Sequence, residues 1–432
     1  MKAGLLIIGD ELLAGSSQDR HSPWLIGELS MHGVIVYETR LVGDHEDQIS
    51  TAISQLAAMS DLVIVTGGLG PTADDLTREA LAAAGGGPLK EDKEALASLQ
   101  EWFSDRGTEM PDSNRSQAMR PDGMKCVRNT CGTAPGLLGE INGAQVLALP
   151  GPPIEMQTMF NDVRDVILRG DADALVNISG GVFAFGMPEA LAGERLGSLM
   201  DRGQMPSVGL TARNGILHAV ARAQGSADVA SKMVQTCVER IKQAWSPWAF
   251  SCEDRSLSKV VGELLDEKKL TISTAESCTG GWIGKSLVDV AGSSAWYVGG
   301  WVVYRNEMKC TQLGVDPTLM QDGGPGAVSQ EVAIGLAKGA CQLAGSDLSL
   351  SVTGIAGPTG GSTSKPVGTV FIGLCDRRSD PEHVAVRQFC FSGHRSQVRE
   401  RTVNAALQIC RLYLLGIEPA EPLLWEVSGH SL

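Results

Sequence analysis

Apolar and polar positions along the chain form two strand-and-helix stretches separated by a segment of different character. In the first stretch, Gly4–Ile8 reads as a buried strand. Ser22-Pro23 predicts a helix cap and a first-turn proline for a helix over Trp24–Met31 that stops at Gly33. Val34–Tyr37 follows as a strand, and Asp44 is expected to cap a helix through Met59. Leu62–Thr66 is a third strand, running into Gly67-Gly-Leu-Gly-Pro71 and a helix expected over Asp74–Ala84. Val146–Leu149 is a further strand, ended by Pro150-Gly-Pro-Pro153. Alternation with short links implies a parallel sheet covered on both faces. Such sheets bind ligands at the carboxyl ends of their strands.

Residues 172–250 change character. Ile216–Ala223 reads as a half-exposed strand and Ala227–Trp245 as an amphipathic helix, so this part is expected to be a small α/β connecting domain. From residue 251 the alternation returns. Helices are expected over Leu257–Leu265, Trp282–Val288, Ser329–Leu343 and Arg395–Leu415, with strands over Thr271–Ala275, Trp296–Tyr304, Asp347–Thr353, Gly368–Leu374 and Val384–Phe391. The reading is an α/β protein with domains at 1–171, 172–250 and 251–417, and a loosely held tail at 418–432.

Composition narrows the function class. A length of 432 residues exceeds one ordinary domain, and 43% apolar residues suffice to bury cores. The net charge of −14 is the wrong sign for a general nucleic-acid binder, which argues against nucleic acid as a partner but leaves room for a local phosphate pocket. The ten cysteines form no CxxC pair, so buried thiols are a better reading than disulfides or a zinc site. The apolar run at the start is too short for a signal peptide, and no run is long enough to span a membrane. A cytoplasmic location is expected.

The most informative chemistry lies at Ala275-Glu-Ser-Cys-Thr-Gly-Gly281, with Tyr304 and Lys309 from a second strand-turn downstream. A strand would deliver Ser277 to the sheet edge, and free N–H groups at the following helix start would stabilise an oxyanion. Serine needs a base. No histidine lies between residues 219 and 382, which leaves Lys309 as the natural base if burial lowers its pKa. Tyr304 would relay a proton or donate to the oxyanion. The same residues also read as a helix cap and a solvated charge, and Cys278 is a rival nucleophile. A second glycine loop, Thr353-Gly-Ile-Ala-Gly357 through Gly360-Gly361, would face the same sheet edge. Arg395 and Arg399 lie one helical turn apart and suit a phosphate or carboxylate, or a solvated face beside Glu400. His394 reads as a surface histidine. In the first stretch Gly67, Gly68, Gly70 and Thr72 form a phosphate-type loop. Asp10, Glu11, Asp74 and Asp75 would hold a divalent metal, or else place negative charge at a helix start.

Taken together these motifs resemble the CinA family, the competence- and damage-inducible proteins. Gly9-Asp-Glu-Leu-Leu13, Gly67-Gly-Leu-Gly-Pro-Thr72 with Asp74-Asp75, Asn114 with Gln117-Ala118, Gly132-Thr-Ala-Pro-Gly136 and Leu149-Pro-Gly-Pro-Pro153 look like the family's molybdopterin-binding-like domain. Ala275–Gly281, Tyr304 with Asn306 and Lys309, Gly326-Ala-Val-Ser329, Thr353–Pro358 and Lys365-Pro-Val-Gly368 look like its nicotinamide mononucleotide (NMN) deamidase domain. The resemblance implies hydrolysis of the NMN carboxamide to nicotinate mononucleotide and ammonia, with no cofactor. Ser277 would be the nucleophile, Lys309 the base and Tyr304 an assistant. Thr279, Gly280, Gly281, Thr353, Gly354 and Gly357 would line the pocket, and Arg395 or Arg399 would meet the phosphate. The resemblance further implies a metal-dependent ADP-ribose pyrophosphatase in the first domain, a KH-like middle domain, and a homodimer. Asp19-Arg20-His21 stands where the family commonly has an Asp-Thr-Asn-like run, so His21 replaces a usual Asn. The segment at Phe185-Gly-Met-Pro-Glu-Ala also departs from the family's middle-domain pattern. The alternatives are pyrophosphatase as the main activity, or a non-enzymatic nucleotide-binding protein linked to competence.

Overall fold

A computed structural model describes residues 1–168, 175–378, 383–418 and 421–427. It divides into two compact units, residues 1–179 with 223–232, and residues 180–222 with 233–432.

The first unit is built on a six-stranded sheet. In spatial order its strands are Ile35–Val42, Lys2–Ile8, Leu62–Thr66, Ala144–Leu149, Gly136–Ile141 and Lys125–Val127. The first four run parallel, and the last two add antiparallel edges. Side chains alternate across the sheet with a period of two. Leu6, Ile8, Val63 and Val65 therefore pack with Ile49, Ile53 and Leu56 of helix Glu46–Ala57 on one face. Leu5, Leu62 and Ile64 pack with Leu25, Leu29 and Phe160 on the other. This two-sided burial is why the strands read as continuous apolar runs.

Several local expectations change. The helix His21–Met31 begins earlier, and Asp19 rather than Ser22 supplies its cap, its carboxylate accepting from His21 N at 2.9 Å and Ser22 N at 3.0 Å. Asp44 does not cap its helix, which starts at Glu46; it accepts instead from Asp10 N at 2.8 Å. The helix expected from Asp74 is only Thr77–Leu81, continued by a widened turn Ala82–Gly86, because Asp75 is engaged in the preceding loop. The helix Lys93–Ser104 and the antiparallel pair Leu89–Glu91/Met119–Pro121 that brackets it are absent from the sequence reading, the strands being too short to show a period.

The second unit holds a five-stranded sheet in the order Tyr297–Val302, Ile272–Glu276, Leu348–Gly354, Thr369–Asp376 and His383–Cys390. The first three strands are parallel and the last two antiparallel to their neighbours. Helix Gln330–Ala344 covers one face, capped by Ser329 as expected, and Ser349 and Ser351 donate to its Ala337 and Ala333 carbonyls at 2.6 and 2.7 Å. The stretch expected as a separate connecting domain is divided between the two units. Its antiparallel sheet is ordered Ser207–Arg213, Ile216–Gly225, Val176–Phe185 and Ala249–Ser251, and the part of it in the second unit meets the closing helix Arg395–Leu414. Gln408 donates to Phe185 O at 3.0 Å, and Arg411 donates to Pro247 O at 3.0 Å and Ala249 O at 2.5 Å. Burial pulls the Arg411 guanidinium down to about 10. The first expected boundary, at residue 171, lies outside the described residues.

The tail is not loosely held where it is described. Cys390 N donates to Trp425 O and Val427 N to Gln388 O, both at 2.9 Å, so this segment lengthens the edge of the sheet. Leu423 is buried, and Glu426 pairs with Arg387 at 3.4 Å. The apolar Leu423 and Trp425 give the segment a reason to dock that its Pro and Glu content obscured. Among the described residues no helix is long and apolar enough to cross a membrane.

Candidate functional site

Strand Ile272–Glu276 is an interior strand, second of the five, and Ser277 opens the turn that follows. Ser277 N donates to Val352 O at 3.0 Å, which fixes the turn to the neighbouring strand. Gly280 N closes back on Ser277 O at 3.1 Å. The chain then passes through φ of 63° at Gly280 and 90° at Gly281, a left-handed path that glycine alone follows without strain. Helix Trp282–Val288 begins directly after.

Lys309 lies on helix Asn306–Leu313 rather than in a strand-turn, and only 2% of it is exposed. Burial lowers its pKa from the usual lysine value, and the Cys278 and Cys310 thiols push weakly the other way. Nζ donates to Val303 O at 3.0 Å and Tyr304 O at 3.2 Å. A neutral amine has two N–H donors and one lone pair, so these two carbonyls can take both hydrogens and leave the lone pair free. Val303 N donates in turn to Glu276 O at 2.9 Å, which joins the lysine's support to the residue before Ser277. Cys278 is buried, and burial pushes its thiol up to about 12, so it is held as a thiol rather than a thiolate nucleophile.

Of the remaining residues, Arg399 reaches this turn, whereas Arg395 and Thr353 bond elsewhere. Arg395 donates to Gly357 O at 2.9 Å and to the Tyr304 hydroxyl at 3.1 Å, bridging both loops. Arg399 donates to Thr279 O at 2.6 Å and lies over the Trp282 ring at 5.3 Å. Thr279 is fully buried, yet its hydroxyl has no hydrogen-bond partner, and Arg399 Nε is likewise unpartnered. Tyr304 is 59% exposed, so it stands at the rim. Thr353 donates its hydroxyl to Ala327 O at 2.6 Å. The glycines of the second loop serve packing: a Cβ on Gly354 would meet Val370 at 2.7 Å, and one on Gly357 would meet Val367 at 2.5 Å. His394 is exposed at the start of the closing helix, as expected.

Two contributors were missed in the sequence. The Glu276 carboxylate accepts from Ile283 N at 3.0 Å and Gly284 N at 2.8 Å, so it occupies the helix-start amides that were expected to face an oxyanion. Trp282 supplies the ring beneath Arg399. The first follows from an acid ending a buried strand, a signal that was present and not used.

In the first unit the Gly67–Thr72 loop is held from within. Asp75 accepts from Gly70 N at 2.7 Å, Thr72 N at 2.9 Å and the Thr72 hydroxyl at 2.5 Å. Arg78, buried beneath, donates to Leu69 O and Gly70 O, and Thr77 donates to Gly67 O. The expected metal set does not assemble around a common point. Asp75 is committed to the loop, and among the described residues no three His, Cys, Asp or Glu side chains are grouped to hold an ion. Burial raises the Asp44 carboxyl above its usual value, the bond from Asp10 N opposes this, and the nearby Asp10, Glu11 and Asp74 charges add to the rise. His21 lines a cleft of about 570 Å³ with Glu11, Asp19 and Gly151. Its Nδ1 lies 2.9 Å from the Thr66 hydroxyl, and burial lowers its pKa.

Comparison with known proteins agrees with this division. The profile of the CinA C-terminal domain matches residues 254–414, and that of a probable molybdopterin binding domain matches residues 4–169. A competence-damage inducible protein from Desulforamulus reducens is 37% identical over 419 residues, covering 96% of this chain and all of the relative. A CinA-like protein from Kosmotoga olearia is 37% identical over 418 residues, covering 96% and 99%. A crystal structure of CinA from Thermoplasma acidophilum is 32% identical, covering 39% of this chain and 99% of that one, with a TM-score of 0.37. Full-length similarity at this level, together with both domain matches, means that the chain belongs to the CinA family of competence-damage inducible proteins.

Proposed function

We propose that the second unit is an amidohydrolase that converts NMN to nicotinate mononucleotide and ammonia. One observation carries the reading: a buried lysine with a lowered pKa donates to the Val303 and Tyr304 carbonyls, and Val303 N donates to Glu276 O, the residue before the serine that ends an interior strand. In this reading Ser277 Oγ attacks the carboxamide carbon while neutral Lys309 takes its proton. The tetrahedral oxyanion forms beside the turn. The Lys309 proton then passes to the departing nitrogen, so ammonia leaves and an acyl-serine remains. Water adds to that ester, giving the carboxylate of nicotinate mononucleotide and restoring the serine hydroxyl.

The unpartnered Thr279 hydroxyl is suited to the carboxamide, since an orphaned buried hydroxyl gains a hydrogen bond when that group arrives. Arg395, exposed and bridging two loops, is suited to the phosphate. The test is ammonia release from NMN by the purified full chain. Release that depends on both Ser277 and Lys309 is expected, and release unaffected by Ser277→Ala overturns the reading.

A further inference from the structure

We propose that Glu276 is a positioning residue that sets the reactivity of Ser277 by clamping the turn from its far side. The inference rests on the reading of Ser277 as nucleophile. Glu276 is the last residue of a fully buried strand, and only 1% of it is exposed. Its two oxygens accept from Ile283 N and Gly284 N, seven and eight residues ahead. The carboxylate thus spans the whole Ser277–Gly281 turn and ties strand to helix.

Two consequences follow from this geometry. The turn is otherwise fixed at Ser277 N, through Val352 O, and at Thr279 O, through Arg399. Gly280 and Gly281 lie between Thr279 and the helix, and both have φ above zero in the most permissive part of the backbone. The described backbone bonds there are Gly280 N to Ser277 O at 3.1 Å and Lys285 N to Gly281 O at 2.9 Å, and the Glu276 carboxylate adds a side-chain tie from the strand to the helix start. The clamp also decides which amides serve an oxyanion. With Ile283 and Gly284 occupied, and Gly280 N turned to Ser277 O, the remaining donors are amides of the turn itself. Glu276 also lies close enough to add to the rise in the Cys278 and Tyr297 pKa values, so its charge is felt at the turn.

The test uses the full chain and Glu276→Gln, which keeps one acceptor oxygen and replaces the other with a donor. Three readouts are compared with wild type: amide exchange over residues 282–285, labelling of Ser277 by a fluorophosphonate, and kcat and KM on NMN. Faster exchange, labelling slowed about tenfold, and kcat lowered about 10- to 100-fold with KM within about twofold are expected. Unchanged exchange overturns the clamp. Faster exchange with unchanged labelling overturns the link to Ser277. If Glu276→Gln does not fold, Glu276→Asp is measured in the same way, and wild-type labelling there overturns the proposal. Wild type that labels at Ser277 but releases no ammonia from NMN sinks the substrate reading alone.

Discussion

Two glycine-rich loops follow central parallel strands, one after Leu62–Thr66 and one after Ile272–Glu276, and they differ in where their polar groups are spent. The first spends its loop groups locally: Asp75 takes two loop amides and a hydroxyl, and Arg78 takes two carbonyls, with only its Nε left over. The second is held by Glu276 and Arg399 but leaves a buried hydroxyl on Thr279 without a partner. A loop that satisfies itself is a scaffold. A loop that holds unspent hydrogen-bonding capacity in a dry place is ready for a ligand.

Substitutions at the two loops should separate these roles. The largest effect is expected from Ser277→Ala, which should lower ammonia release from NMN by about a thousandfold or more while thermal unfolding stays near wild type. Next is the pH response. Lys309 acts as a base only when neutral, so kcat should climb about tenfold per pH unit up to its lowered pKa and then level off. Lys309→Met should abolish this limb. The sign for stability agrees: the folded pKa is below the unfolded value, so the unfolded chain binds more protons, and the cost of burying Lys309 is relieved, raising stability, as pH rises between the two. Thermal melts of wild type and Lys309→Met across that range would check it.

Smaller effects sharpen the contrast. Thr279→Val keeps the shape and removes the orphaned hydroxyl. It should raise the KM for NMN about tenfold while raising stability by about 1 kcal/mol, as measured by steady-state kinetics and denaturant melts. Asp75→Ala strands the loop amides of the first unit. It should cost about 1–2 kcal/mol in denaturant unfolding of that unit and leave ammonia release unchanged. A loss of ammonia release comparable to Ser277→Ala would break the comparison.

Much of the site was legible because its residues are local in sequence. Ser277, Thr279, Gly280 and Gly281 sit within one turn, and Tyr304 and Lys309 within one short segment. The roles of Arg395 and Arg399 were left open because the sequence shows them only as neighbours on one helix. The structure separates them: Arg399 reaches Thr279 O, 120 residues away, and Arg395 reaches Tyr304, 91 residues away. Asp75 illustrates the opposite case. An acid pair after a glycine loop reads as a metal site, but hydrogen bonds only three and five residues back consume Asp75.

The sequence by itself determined the two strand-and-helix stretches and their buried strands, because buried parallel strands and capped amphipathic helices impose periods that survive without tertiary context. It also determined the serine turn, since two consecutive glycines after a buried strand permit a backbone path that other residues resist. Only the tertiary structure decided the chemical state of the groups. Lys309 has a lowered pKa because the fold buries it. Cys278 stays a thiol for the same reason. The helix-start amides are occupied because Glu276 folds back on them, and residues 421–427 are held because Leu423 and Trp425 find an edge to dock against. Burial and hydrogen-bond partners are properties of neighbours in space, and residues far apart in sequence supply them.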